Sequence, residues 1–163
     1  MIVGVRLAAE ADLPAINSIY NHYVLHATCT YQVTPETEES RRRWFIGHDE
    51  KHPVTVAVVS QDIVGWGALN VFNAREAYSR TVENSVYVHP NWQRRGIGGT
   101  LLRDLIARAR LLEYHTIVAG ISAEQSASIG LHEAHGFVRA GHIREVGHKF
   151  GEWLDVLTYQ LIL

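Results

Sequence analysis

Apolar and polar positions recur along the chain in two rhythms, and the changes of rhythm mark its elements. A short apolar run at 2–7 is followed by Asp12, a good helix N-cap, with Pro14 in the first turn. Leu13, Ile16, Tyr20, Tyr23 and Val24 then recur at the spacing of one helix face. Thr34 and Pro35 repeat the start signal. Glu36, Glu38 and Glu39 suit the positive end of a helix dipole, Trp44 and Phe45 supply a buried side, and this helix ends near Gly47. Past Pro53 the period becomes that of strands. Val54, Val56, Val58 and Val59, a polar turn at Gln61 and Asp62, then Ile63, Val64, Trp66, Ala68 and Leu69 predict an antiparallel hairpin. Asn73 to Arg80 has neither period and is expected to be a loop, whereas Thr81 to Val88 is again strand-like and stops at His89-Pro90.

Ile97, Leu101, Leu102, Leu105, Ile106, Ala109 and Leu112 form one apolar stripe on a long amphipathic helix opened by glycines. His115 to Ile121 predicts a further strand, and Glu124 to His135 a second amphipathic helix stopped by Gly136. After Phe137, residues 138–147 and 153–163 predict two more strands. The order β, α, α, β, β, β, α, β, α, β, β is that of an α/β fold, one mixed sheet covered by helices. The crossover over 81–121 is where a ligand is expected, because open sheets bind ligands beyond the carboxyl ends of their strands.

A length of 163 residues predicts one domain over 1–163, and 47% apolar with 20% charged residues is enough for a buried core. A net charge of -2 gives no argument for nucleic-acid or membrane partners. The one cysteine, Cys29, has no intrachain partner. Arg6, Glu10 and Asp12 interrupt the N-terminal stretch that a signal peptide would need, so a cytoplasmic location is expected. Histidine pairs such as His22/His26, His48/His52 and His132/His135 lack metal-motif companions, and no metal is expected. The four tryptophans have no basic stripe beside them and are expected in the core or an interface.

The most informative segment is Val86-Tyr87-Val88, a short connection, then Gln93-Arg94-Arg95-Gly96-Ile97-Gly98-Gly99 opening a helix. Free N–H groups and a helix dipole there suit a pyrophosphate, with Arg94 and Arg95 adding charge, although the glycines would equally serve a tight strand-to-helix turn. No lysine follows Gly98, which excludes the P-loop pattern, and Leu101 stands where a dinucleotide fingerprint has its third glycine.

With its Q-x-x-G-x-G run after an apolar strand, this segment resembles the acetyl-CoA signature of the GNAT superfamily of N-acetyltransferases. Ile19-Tyr20-Asn21, the TVE-x-SVYV string at 81–88, Ala127-Ser128-Ile129-Gly130-Leu131-His132, Gly136-Phe137 and the VG-x-KFG-x-WLD string at 146–155 resemble its phosphinothricin and methionine sulfoximine acetyltransferase branch. The resemblance covers Arg6 to Leu161.

It implies a GNAT fold whose mostly antiparallel sheet splays at an acetyl-CoA cleft. Val86, Tyr87 and Val88 would pair with the pantetheine arm, Arg94, Arg95, Gly96, Ile97, Gly98 and Gly99 would hold the pyrophosphate, and Gln125 and Ser128 would add contacts from the second helix. Gln125 stands where the family usually has asparagine, so its contact is expected to be shifted. A backbone N–H of the splayed strand would polarise the thioester carbonyl. Glu83 is the expected general base, unless it ion-pairs with Arg75 or Arg80. Alternation puts Glu83, Ser85 and Tyr87 on one face and Asn84, Val86 and Val88 on the other, unless a bulge intervenes.

Arg75 and Tyr78 resemble the branch's acceptor loop, Arg75 being suited to a carboxylate. Tyr31, Asn84 and Ser85 are further acceptor-wall candidates. His132 stands near the position from which a side chain can protonate the leaving thiolate, or it serves as a structural hydrogen-bonding group. The expected activity is direct transfer of acetyl to the amino group of a small amino acid analogue in a ternary complex. The alternatives are another amine, a protein N-terminus, or a non-catalytic acyl-CoA sensor. The family usually forms homodimers, so one is expected here.

Overall fold

The period-two valine segments pair into one sheet because alternate side chains can bury on its two faces. In the computed structural model, which describes residues 1–163, seven strands are ordered β1-β2-β3-β4-β5-β7-β6. They are β1 (Gly4–Leu7), β2 (Val54–Val59), β3 (Asp62–Val71), β4 (Thr81–Val88), β5 (Thr116–Ser122), β6 (Val138–Lys149) and β7 (Glu152–Ile162). The helices are α1 (Leu13–His26), α2 (Glu38–Ile46), α3 (Ile97–Leu111) and α4 (Ser126–Ala134). Every neighbouring pair is antiparallel except β4–β5, the crossover expected from the sequence.

Burial divides by sheet face. On one face Leu102, Leu105, Ile106 and Ala109 of α3 pack on Leu69, Val82, Ile117 and Ala119. On the other, Leu13, Ile16, Ile19 and Tyr23 of α1 pack on Val54, Val56, Trp66 and Ala68. Burying each large aliphatic side chain contributes about 1.5–3 kcal/mol, so both stripes read from the sequence are structural.

Two helix starts differ from expectation. Asp12 does not cap α1; it ends a 3-10 turn and its carboxylate points back, accepting from the Ala9 N–H at 2.8 Å and pairing with Arg6 at 2.6 and 2.9 Å. A bidentate charged pair outcompetes a single cap bond, and it holds the Asp12 carboxyl below its usual range. The second helix starts after Thr37, whose hydroxyl accepts from the Ser40 N–H at 3.0 Å, and not at Thr34. Pro35 keeps its predecessor extended, and Asn17 and Asn21 both donate to the Glu36 carbonyl, which holds this connection across α1.

Other boundaries move by one or two residues. At the last hairpin the strands lengthen to a two-residue turn, Phe150-Gly151, with φ of 53° and 77° as a tight hairpin requires. The loop at 73–80 contains a short 3-10 turn, Glu76–Tyr78.

The decisive feature lies in the middle of the sheet. The β3–β4 register runs without a bulge from Val71↔Val82 to Gly65↔Val88, whereas β4 and β5 pair only at Thr81↔Thr116, Val82↔Ile117 and Glu83↔Val118. Beyond Glu83 the two strands part.

Candidate active site

Where the strands part, β4 presents an unpaired edge. The His89 N–H donates to the Val64 carbonyl, so the odd-numbered residues of β4 face β3. The Glu83↔Val118 pairing spends the Asn84 N–H on the Val118 carbonyl, and the Asn84 carbonyl with the N–H and C=O groups of Val86 and Val88 face the opening. A cavity of about 510 Å³ follows this edge from Glu83 to the start of α3 and across to α4.

The loop at its far end is built by backbone conformation. Gly96 has φ 79° and Arg94 φ 59°, both left-handed, and the first helical bond is Thr100 N–H to the Gly96 carbonyl. The N–H groups of Ile97, Gly98 and Gly99 therefore have no carbonyl partner within α3, an arrangement that receives anionic oxygens. Arg94, Gly96, Ile97, Gly98 and Gly99 all line the cavity. Arg95 does not; its guanidinium lies 4.9 Å above the Trp92 ring. A free strand edge leading to an anion-binding helix start fits a long thioester with a pyrophosphate.

At the root of the splay the regular alternation of β4 separates two chemistries. Glu83, Ser85 and Tyr87 share the α1 face, where Tyr87 stacks on Trp66 at 4.9 Å. Glu83 lines the cavity and forms no ion pair: Arg80 donates to the Glu113 carbonyl, and Arg75 is exposed. Burial pushes its carboxyl above the usual glutamate range. Asn70 donates to the Glu83 carbonyl at 3.2 Å and to Ser85 Oγ at 3.0 Å, which fixes this stretch.

Asn84 and Val86 face α3 and α4. Asn84 Nδ2 donates to His132 Nε2 at 3.0 Å, while His132 Nδ1 lies 2.8 Å from the Ser128 carbonyl. A carbonyl only accepts, so Nδ1 carries the proton and Nε2 is the acceptor; burial lowers the His132 pKa and favours this neutral ring. Ser128 and His132 both line the cavity. Gln125 also lines it, and its amide nitrogen donates to Thr28 Oγ1 at 3.0 Å, so its longer side chain reaches the α1–α2 connection.

Three residues expected at the acceptor side lie outside this cavity. The Tyr31 hydroxyl donates to the Asp155 carbonyl at 2.6 Å and lies 3.0 Å from Ser122 Oγ, with its ring against Gly147. A Cβ at Gly147 would come within 2.5 Å of that ring, which accounts for the glycine in the VG-x-KFG string. Arg75 and Tyr78 lie on the exposed loop before β4, Tyr78 edge-on to Phe72 at 5.6 Å.

Conversely, Tyr23 and Cys29 line the cavity without having been singled out as site residues. Tyr23 belonged to a helical core stripe, and only the fold turns its hydroxyl toward the cleft. Burial pushes the Cys29 thiol up to about 11, which makes it a poor nucleophile at neutral pH.

A family model for the acetyltransferase (GNAT) family matches residues 16–137. The chain belongs to the GNAT acetyltransferase family. It is 38% identical over 162 residues to a phosphinothricin N-acetyltransferase of Streptomyces coelicolor, covering 97% of this chain and 95% of that protein. An L-methionine sulfoximine/L-methionine sulfone acetyltransferase of Salmonella typhimurium is 38% identical over 160 residues, covering 98% and 94%. Among solved structures, a GNAT phosphinothricin acetyltransferase from Sinorhizobium meliloti in complex with acetyl-CoA superposes with a TM-score of 0.95 at 34% identity, covering 100% of this chain and 89% of that one. The enzyme is thus an N-acetyltransferase with the fold its sequence motifs implied.

Proposed function

We propose that the enzyme transfers the acetyl group of acetyl-CoA to the amino group of a small amino acid analogue of the phosphinothricin or methionine sulfoximine type. The observation that carries this mechanism is the end of the β4–β5 ladder at Glu83, which puts a carboxylate of raised pKa at the root of the splay. Bound there, acetyl-CoA supplies an activated acyl group and a thiolate leaving group. Val86 and its neighbours in β4 bind the extended arm through backbone N–H and C=O groups, and the N–H groups that start α3 receive the pyrophosphate. A β4 N–H stabilises charge developing on the carbonyl oxygen.

Glu83 takes a proton from the acceptor ammonium, directly or through one water, so that the neutral amine attacks the carbonyl; as the tetrahedral centre collapses the C–S bond breaks, and the second proton lost by the nitrogen goes to the departing thiolate. With its pKa raised toward neutrality, Glu83 is closer to the value that a base working near pH 7 needs. Transfer is direct, since the cavity's one thiol, Cys29, is held protonated. Arg75 and Tyr78 lie outside the cavity, and from the exposed loop that leads into β4 they are offered to the acceptor's carboxylate and side chain.

We further assign the enzyme to a homodimer and to the cytoplasm. Exposed Val146, Phe150 and Trp153 on the last hairpin supply an apolar contact, and no helix is long and apolar enough to cross a membrane. Sedimentation at micromolar concentration checks the first, and a monomer would remove it.

A thiol-release assay tests the activity, with acetyl-CoA and a panel of phosphinothricin, methionine sulfoximine, methionine sulfone, ordinary amino acids, a polyamine and a peptide. Turnover is expected with the first three. Turnover with the peptide or polyamine alone would replace the acceptor assignment, and cofactor binding without any turnover would point to an acyl-CoA sensor.

A further inference from the structure

The free edge of β4 has an end, and a residue of α1 sets it. Val88 is the last residue of β4, and its carbonyl is one of the groups that face the opening. The Tyr23 hydroxyl donates to that carbonyl and accepts from Gln93 Nε2 at 2.7 Å. All three residues line the cavity, and Tyr23 is 9% exposed. The direction of this chain is fixed: an amide N–H can only donate to the phenol oxygen, whose one proton then goes to the Val88 carbonyl. The ring is held from three sides, by Tyr87 at 5.8 Å, by His22 at 5.2 Å and by the core packing of α1. Burial raises the phenol pKa, so the donor stays protonated at neutral pH.

We propose that Tyr23 is a positioning residue for the cofactor: it takes the last carbonyl of the pairing edge and anchors the glycine loop through Gln93. This deepens the acetyl-CoA assignment and rests on it. An extended pantetheine arm must match its amides to whichever strand groups are free. With the Val88 carbonyl already hydrogen-bonded and the Asn84 N–H paired with β5, the groups left between Glu83 and the loop are the Asn84 and Val86 carbonyls and the Val86 and Val88 N–H groups, so the register open to the arm ends at the Val88 N–H. Gln93, held by the same hydroxyl, keeps the loop that follows at a fixed distance from that register. Pyrophosphate and thioester are then placed by one ruler, which puts the acyl carbon at the level of Glu83.

The test is Tyr23→Phe, which deletes one hydroxyl and keeps the ring. Coenzyme A binding by calorimetry is expected to weaken about tenfold, equivalent to ~1.4 kcal/mol. The KM for acetyl-CoA should rise in parallel, while the KM for the acceptor stays within about twofold, an outcome that a general loss of packing would not give. Gln93→Ala should reproduce the loss, and the double variant should bind no worse than either single one, because both break the same chain. Coenzyme A affinity unchanged in Tyr23→Phe, or losses that add in the double variant, would overturn the proposal. Failure of the wild-type enzyme to bind coenzyme A would overturn the cofactor assignment instead.

Discussion

Two cavities of nearly equal size lie at opposite ends of α3, and they are chemically unlike. The cleft beside β4 has about 510 Å³; the other, between the end of α2, the start of β2 and the end of α3, has about 490 Å³. In the second, the histidines and the arginine are already committed. His52 lies 2.9 Å from Asp49, His48 contacts the Trp44 carbonyl and Asn70, and Arg108 pairs with Asp104 at 2.7 Å. In the first, backbone groups of β4 and of the α3 start face the space without an intramolecular partner. A buried polar group left unpaired costs about 1–3 kcal/mol, so such groups persist where a ligand satisfies them. Unspent hydrogen-bonding capacity, and not volume, distinguishes a binding site from a crevice.

The largest expected break in this contrast is Glu83→Gln. If the carboxylate is the base, kcat at neutral pH should fall by roughly 10²–10⁴ while coenzyme A binding holds. Wild-type kcat should decline as pH falls through the raised Glu83 pKa, and the variant should lose that acid limb; an unchanged pH profile would remove Glu83 from the mechanism. The same shift has a sign for stability. With the folded pKa raised above the unfolded one, Glu83 favours the fold at low pH, and that contribution is lost as pH rises through the folded value. Thermal melts should therefore show the Gln variant more stable than wild type near pH 8, with the advantage gone near pH 4.

Next in size is Gly96→Ala, which places a Cβ on a left-handed residue at a cost of ~1–2 kcal/mol and should weaken coenzyme A binding about tenfold by calorimetry. Gly147→Ala should act on the fold more than on the cofactor. The added methyl collides with the Tyr31 ring, and about 1–3 kcal/mol should be lost in denaturant titrations, with acetyl-CoA KM unchanged. Smallest of all is Leu111→Lys at the second cavity. This side chain is 84% exposed, so stability should stay within about 0.5 kcal/mol and both KM values within about twofold. A large kinetic effect there would mean that the second cavity is coupled to the site.

Much of the contrast is legible in the sequence. The limits of β4 and the start of α3 agree with the apolar pattern, because a strand ending in His-Pro and a helix opened by glycines are locally determined. The residues that line the far end of the cavity, Arg94 and Gly96 to Gly99, follow as one segment broken only at Arg95. Asp12 and Thr34 mislead because a cap competes with distant partners, Arg6 in one case and Asn17 with Asn21 in the other. Tyr23 and Cys29 carry no local signal, since a tyrosine in a core stripe looks the same whether its hydroxyl meets solvent or a strand carbonyl 65 residues away. Arg75 and Tyr78 share a contiguous loop with the approach to β4, but sequence proximity to Glu83 does not bring them to the cavity wall.

The early end of the β4–β5 ladder bears on how the protein breathes. Amides of Val86 and Val88 lack the cross-strand partner that slows exchange with solvent elsewhere in the sheet, so this seam should take up deuterium first. A ligand that pairs along it acts as an eighth strand, and at a hundredfold excess over its Kd it stabilises the whole domain by about 2.7 kcal/mol. If acetyl-CoA is that ligand, as proposed, its free level would set the enzyme's lifetime against unfolding and proteolysis as well as its rate.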